Sequence, residues 1–206
     1  MHLYAKLHTT QPNIIQNKVI NIKNIMTIFI SGGCKNGKST LAEDCCIKLA
    51  DGGPLYYVAT MVAYDDEDRE RIKRHRKDRR GKGFKTLEQP RDIIKCLKKS
   101  DAENGTYLID SVTALLINEM YSPERSEADP DAAERTAEGL REFAAKVKNA
   151  VFVSDYIYSE GAEYSQYTEE YMKALSVCDR ALAQACDCVA EITAAIPNVY
   201  KGELPL

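Results

Sequence analysis

The sequence predicts an α/β fold, a mainly parallel sheet covered by helices on both faces. Three observations lead there. Short β-rich runs alternate with segments of helical periodicity, the pattern of strands joined by helical crossovers. The first run, Met26-Thr-Ile-Phe-Ile-Ser31, is apolar enough to be a buried strand and ends in glycines. The chain has 206 residues and 44% hydrophobic content, which suits one globular domain with a sizeable core.

The elements follow in order. After the first strand, helical spacing runs from Ser39 to Ala50 and stops at Gly52-Gly53-Pro54. Leu55–Ala59 is the second strand. Asp65 to Asp68 open a helix whose positive N-terminal dipole suits their charge; it carries a basic stretch and ends at Gly81. Phe84–Leu87 reads as a short strand and Arg91–Lys99 as a helix. Thr106–Asp110 is a strand ending in an acid, Asp131–Val147 a long polar helix and Val151–Ser154 a strand. Met172, Leu175, Cys178, Leu182 and Ala185 lie on one face of a helix from Thr168 to Cys186, and Val189–Ile196 is a last strand before Pro197. Right-handed crossovers line up the strand C-termini along one edge, where ligands bind in such sheets. The loops Tyr121–Asp129 and Tyr156–Tyr167 are long enough to serve function.

Composition sets limits. The net charge is −3, so the basic stretch is local within an acidic protein and nucleic acid is not the expected partner. Seven cysteines with no CxxC pair read as reduced thiols in a cytoplasmic protein. No run approaches the ~20 apolar residues needed to span a bilayer. Met1–Asn24 is polar, lacks the apolar core of a signal peptide and precedes a second methionine, Met26. Residues 1–25 are therefore expected to be a disordered tail, and 26–206 a single nucleotide-binding catalytic domain.

The first strand runs directly into Gly32-Gly33-Cys34-Lys35-Asn36-Gly37-Lys38-Ser39, a full G-x-x-x-x-G-K-S motif followed by a helix. Glycines let the backbone curl so that successive N–H groups point at phosphate oxygens. Lys38 then reaches the β and γ phosphates, and the Ser39 hydroxyl helps hold Mg²⁺. This narrows the fold to the three-layer P-loop NTPase class, RecA-like in arrangement. Asp110 stands where a metal-facing acid belongs; an ordinary helix cap after a strand is the plainer alternative. Asp155, after its own strand, is a weaker competitor. The absence of an N-K-x-D motif after a strand disfavours a Ras-like GTPase.

Between Arg69 and Lys85 stand ten Lys or Arg side chains and one histidine. Arg71, His75 and Arg79, four apart, share one helical face that could grip a triphosphate. A solvated helix with an incidental histidine is the plainer alternative.

Several pieces in order carry a resemblance: the glycine loop, Tyr57-Val-Ala-Thr60, Arg71-Ile-Lys-Arg-His75-Arg76, Asp78-Arg79, Thr86-Leu-Glu88-Gln-Pro90 and Leu108-Ile-Asp110-Ser-Val-Thr113. Asn118, Asp179-Arg-Ala-Leu-Ala183, Asp187 and Ala195-Ile-Pro197 complete it. From Thr27 to Lys201 the chain resembles the adenosylcobinamide kinase / adenosylcobinamide-phosphate guanylyltransferase family. The resemblance implies two reactions: phosphorylation of the aminopropanol hydroxyl of adenosylcobinamide by ATP or GTP, and transfer of GMP from GTP onto that phosphate through a guanylylated histidine. The histidine of R-I-x-x-H lands on His75; Glu88 and Asp110 fall where the family contacts the guanine nucleotide and its metal. A homotrimer is also implied.

The expected site is then catalytic His75 and Lys38, with Ser39 and Asp110 on the metal. The nucleotide-binding set is Gly32 to Lys38, Ser39, Thr40, Ala59, Thr60, Arg71, Arg76, Arg79, Glu88 and Asp110. The chain departs from the family at Ser154-Asp155-Tyr-Ile-Tyr-Ser-Glu-Gly161, where N-E-x-G is usual, at Arg80 in place of proline, and at Phe84 in place of tryptophan. Tyrosines 156, 158, 164, 167 and 171 offer a platform for a large planar ligand; loop packing or a subunit contact is the other reading.

Overall fold

The computed structural model describes residues 25–121, 127–158 and 164–206. The expected tail Met1–Asn24 and the middle of each long loop, 122–126 and 159–163, lie outside the described residues. The strands are β1 (Met26–Gly32), β2 (Leu55–Ala59), β3 (Phe84–Glu88), β4 (Thr106–Asp110), β5 (Asn149–Asp155), β6 (Cys188–Thr193) and β7 (Ile196–Lys201). They form one sheet in the order β3-β2-β4-β5-β1-β6-β7, with β7 alone antiparallel to its neighbour. The helices are α1 (Lys38–Ala50), α2 (Asp66–Asp78), α3 (Val112–Met120), α4 (Ala132–Lys146) and α5 (Gln166–Ala185). The α/β architecture with a mainly parallel sheet is as expected.

Alternation along the strands sorts the core into two layers. Ile28, Ile30, Tyr57, Leu108 and Val151 pack with Ala42, Cys45 and Cys46 of α1. Phe29, Val58, Tyr107, Ile109 and Phe152 face the other way, onto Leu115, Leu140, Phe143, Leu175 and Leu182 of α3, α4 and α5. Strand β1 lies between β5 and β6, with Gly32 level with Asp155 on one side and Ile192 on the other. The next strand in sequence, β2, lies beyond β5 and β4, so the crossovers diverge at the carboxyl end of β1. A crevice opens beside it, over the carboxyl ends of β2, β4 and β5.

Three elements differ from expectation. The closing strand is a hairpin, β6 and β7, turned by Ala194 and Ala195 at φ 50° and 65°. Two alanines carry none of the Asn-Gly chemistry that usually marks such a turn. Pro197 falls inside β7, where its missing N–H is tolerated because β7 is the edge. Helix α3 has no counterpart among the expected elements: Ser111 caps it by accepting from the Ala114 N–H at 3.2 Å, and the run is too short for its period to stand out. The segment expected as a helix over Arg91–Lys99 is a 3₁₀ helix, Ile93–Lys99.

Candidate active site

The glycine loop is shaped by close approach. At Gly32 a Cβ would come within 2.6 Å of the Ile192 carbonyl oxygen, so strand β6 excludes any side chain there. Gly37 precedes α1 with φ 88°, in the left-handed region. Asn36 Nδ2 donates to the Ile192 carbonyl at 3.1 Å and ties the loop to β6. The Lys38 side chain is only 6% exposed; its Nζ donates to the Gly33 carbonyl at 2.6 Å and pairs with Asp155 Oδ1 at 2.9 Å. A buried ammonium needs such acceptors, and an incoming phosphate would take their place. Ser39 is half-buried and Thr40 exposed in the first turn of α1.

Helix α2 starts where Asp65 Oδ1 accepts from the Asp68 N–H at 2.8 Å, with Asp66, Glu67 and Asp68 in its positive first turn. Asp68, Arg71, Ile72, His75, Arg76 and Arg79 recur at the spacing of one face and line a cleft of about 580 Å³. Ala59, Glu88, Asp110 and Asp155 line it too. The expected histidine, three arginines and two acids are thus gathered around one space. The glycine loop itself is not in the wall; Asp155 joins the two, since it lines the cleft and holds Lys38. Thr60 is not in the cleft wall. It is fully buried, its hydroxyl accepts from the Ser111 N–H and donates to the Ser111 carbonyl, both at 2.8 Å, and its own carbonyl accepts from Asn118 Nδ2. Its side chain braces the start of α3.

Polar tethers hold the strongly polar α2 and the turn after it. Arg76 bonds Glu88 Oε1 at 2.5 Å across the cleft mouth. Arg79 is 8% exposed, and its Cζ lies 3.2 Å from the centroid of the Tyr57 ring. Lys82 Nζ meets the buried Glu43 of α1 at 2.5 Å and anchors the turn after the helix. Nη1 of Arg79 is buried with no hydrogen-bond partner. Such a guanidinium is poised for an anion.

Asp110 does not cap α3, since Ser111 does. One of its oxygens, Oδ2, accepts from the Tyr57 hydroxyl at 3.1 Å. Asp155, ranked behind Asp110 on sequence, is the acid that contacts Lys38, and its backbone N–H is fixed by Thr113 Oγ1 at 2.9 Å. Its position at a strand end was a usable signal. Tyr57 was missed as well, because an aromatic inside a strand reads as core. Nearby, burial pushes the Asp179 carboxyl up to about 6, against the lowering hydrogen bond from Tyr158 at 2.8 Å. The Tyr171 hydroxyl bonds the Thr113 carbonyl at 3.1 Å. Tyr158 and Tyr171 are therefore tied into the protein, while Tyr156 and Tyr167 stay exposed. Tyr156 meets Tyr158 edge to face, and Tyr167 is tilted against Tyr121.

A curled glycine loop at the end of the central parallel strand, with a buried lysine and a charged cleft beside it, defines a P-loop nucleotide-binding protein. The chain belongs to the cobinamide kinase / cobinamide phosphate guanyltransferase family, which it matches over residues 28–199, and is accordingly a transferase. It is 30% identical over 181 residues to the bifunctional adenosylcobalamin biosynthesis protein CobP of Pseudomonas aeruginosa, covering 86% of this chain and 99% of that one. To the bifunctional adenosylcobalamin biosynthesis protein CobU of Escherichia coli it is 29% identical over 106 residues, 52% of this chain and 56% of the other. Among solved structures it is similar to the flagellar accessory protein FlaH of Methanocaldococcus jannaschii, with a TM-score of 0.47, 12% identity and coverage of 87% and 80%. Among the described residues no helix is long and apolar enough to cross a membrane.

Proposed function

We propose that this chain phosphorylates adenosylcobinamide with a nucleoside triphosphate, then transfers GMP from GTP to the new phosphate through His75, giving adenosyl-GDP-cobinamide. The observation that carries this reading is the gathering of His75, Arg71, Arg76, Arg79, Glu88 and Asp110 around one cleft that Asp155 links to Lys38. An imidazole among guanidinium groups is suited to attack a phosphorus whose non-bridging oxygens those groups neutralise. In the guanylyl step a His75 ring nitrogen attacks the α-phosphorus. The bond to the bridging oxygen breaks, and its electron pair leaves with pyrophosphate. A phosphate oxygen of the corrinoid then attacks the same phosphorus, the phosphorus–nitrogen bond breaks, and the imidazole is restored. In the kinase step Lys38 and the loop N–H groups hold the β and γ phosphates while the acceptor hydroxyl attacks the γ-phosphorus. The bond to the β–γ bridging oxygen breaks, its electron pair leaves with the nucleoside diphosphate, and the hydroxyl proton passes to water.

Ser39 and Asp110 are hard oxygen donors, and one Asp110 oxygen remains outside the bond from Tyr57. Among the described residues no three His, Cys, Asp or Glu side chains converge as a metal cage. That donor set fits Mg²⁺, which is held by few protein groups plus phosphate oxygens and would neutralise developing phosphate charge when bound.

GTP labelled at the α position tests the reading. Label should appear on the parent protein in a linkage that hydrolyses in acid and survives base, and should pass to the corrinoid when adenosylcobinamide is supplied. His75→Asn should abolish the label on protein while cobinamide phosphorylation persists. A parent that phosphorylates cobinamide yet never takes label would reduce the protein to a kinase; label retained on the Asn variant would exclude His75 as carrier.

A further inference from the structure

We propose that Tyr57 is a positioning residue coupling the two sides of the cleft: its ring seats the Arg79 guanidinium and its hydroxyl orients the Asp110 carboxylate. This deepens the function proposed above and rests on it. Tyr57 lies in the middle of β2, level with Thr86 of β3 and Leu108 of β4, and is 5% exposed. Its side chain runs under the end of α2 and reaches Asp110 one strand away, so a single residue touches a cation from a helix and an acid from a strand.

The way each partner is held matters chemically. A carboxylate holding Arg79 would occupy the donors that a phosphate needs. An aromatic face holds the guanidinium by its charge and leaves the N–H groups free. The unpartnered Nη1 of Arg79, on a side chain more than nine-tenths buried, is what such an arrangement leaves. On the other side, the Tyr57 hydroxyl takes only one of the lone pairs of Asp110 and fixes the carboxylate plane. A phenol can donate to a carboxylate oxygen, which can only accept. A tyrosine serving only as core filling would need neither contact.

The test uses the full chain with Tyr57→Phe and Tyr57→Leu, reading equilibrium binding of GTP by calorimetry, first with metal chelated and then across a Mg²⁺ titration. Phe keeps the ring beneath Arg79 and loses the bond to Asp110. Its metal-free affinity should stay within about twofold of the parent, and the Mg²⁺ concentration for half-maximal tightening should rise about 3- to 10-fold. Leu loses both contacts and should also weaken metal-free binding about tenfold. Because Leu leaves a cavity, Arg79→Lys gives the same reading from the other partner: metal-free binding weakened, Mg²⁺ dependence parental. A Phe variant that overlays the parent, or one that loses metal-free and metal-dependent binding equally, overturns the proposal. So does unchanged metal-free affinity in both Tyr57→Leu and Arg79→Lys. Neither readout needs transfer chemistry. A parent that binds GTP here but never takes label on His75 removes the proposed function and leaves the coupling standing.

Discussion

Lys38 sits at the start of α1 beneath a carbonyl of its own loop, while Arg79, just past α2, rests on a ring supplied by a strand. Both cations are buried; Arg79 lines the cleft, and Lys38 is joined to it through Asp155. The loop lysine is held by a main-chain carbonyl of its own turn and by one counter-ion, Asp155, supplied from the end of β5. Helix α2 is too polar to bind by an apolar stripe. It and the turn behind it are held by Arg76 on Glu88, Arg79 on Tyr57 and Lys82 on Glu43. A glycine loop is a rigid cradle. The helix is a charged arm whose position depends on a few side-chain contacts, each removable on its own.

The largest effect should come from the cradle. Lys38→Ala should lower both reactions at least ~100-fold, the scale of losing a preorganised charge at the reacting phosphate. Far-ultraviolet circular dichroism should remain parental; undiminished turnover in the folded variant would move the phosphate site elsewhere. On the arm, Arg79→Ala should weaken GTP binding about tenfold, measured by calorimetry, with the Lys38 contacts intact. Equal affinity would mean that the arm takes no part in holding nucleotide.

Asp155→Asn sharpens the comparison, because it touches the cradle through its counter-ion. Leaving the Lys38 ammonium without its acid should destabilise the nucleotide-free protein by about 1–3 kcal/mol in urea denaturation. Saturating GTP should recover much of that loss, since phosphate then supplies the missing charge. A deficit independent of nucleotide would make the pair purely structural.

Asp179 lies behind Asp155, and its effect is one of pH. Its carboxyl is raised from the ordinary 3.8 to about 6 in the fold, so the folded state holds the proton more tightly than the unfolded chain. No cost is felt below about pH 4. The cost grows as pH rises through that window and is complete above about 6. Asp179→Asn, which cannot ionise, should therefore gain on the parent by about 2–3 kcal/mol between pH 4 and 7. Parallel stability curves over that range would contradict it. The smallest effect belongs to the solvent side of the arm: Arg74→Ala, exposed and outside the cleft, should change stability by less than about 0.5 kcal/mol and leave GTP affinity unaltered.

Much was legible from residues alone where the deciding forces are local. Gly32, Gly37 and Lys38 announce a phosphate loop because only glycine accepts that backbone, and the motif is contiguous. Strands Leu55–Ala59 and Thr106–Asp110 were readable to the residue, since buried strands show as short apolar runs between breakers. The cleft face of α2 was readable from a spacing of four. Local signals failed at the Ala194-Ala195 turn, which has no turn residues, and at α3, which is too short for its period to stand out.

By itself the sequence determined the class of fold, the phosphate loop and the face of the charged helix that carries His75, because each is set by contacts within a few residues. Only the tertiary structure decided that Asp155 holds Lys38, that Ser111 caps α3 in place of Asp110, and that Thr60 turns inward. It also placed Tyr57 between Arg79 and Asp110. These choices join residues 22 to 117 positions apart, or turn on which of two neighbouring side chains points inward. Burial and charge pairing settle them only once the sheet has brought its strand ends together.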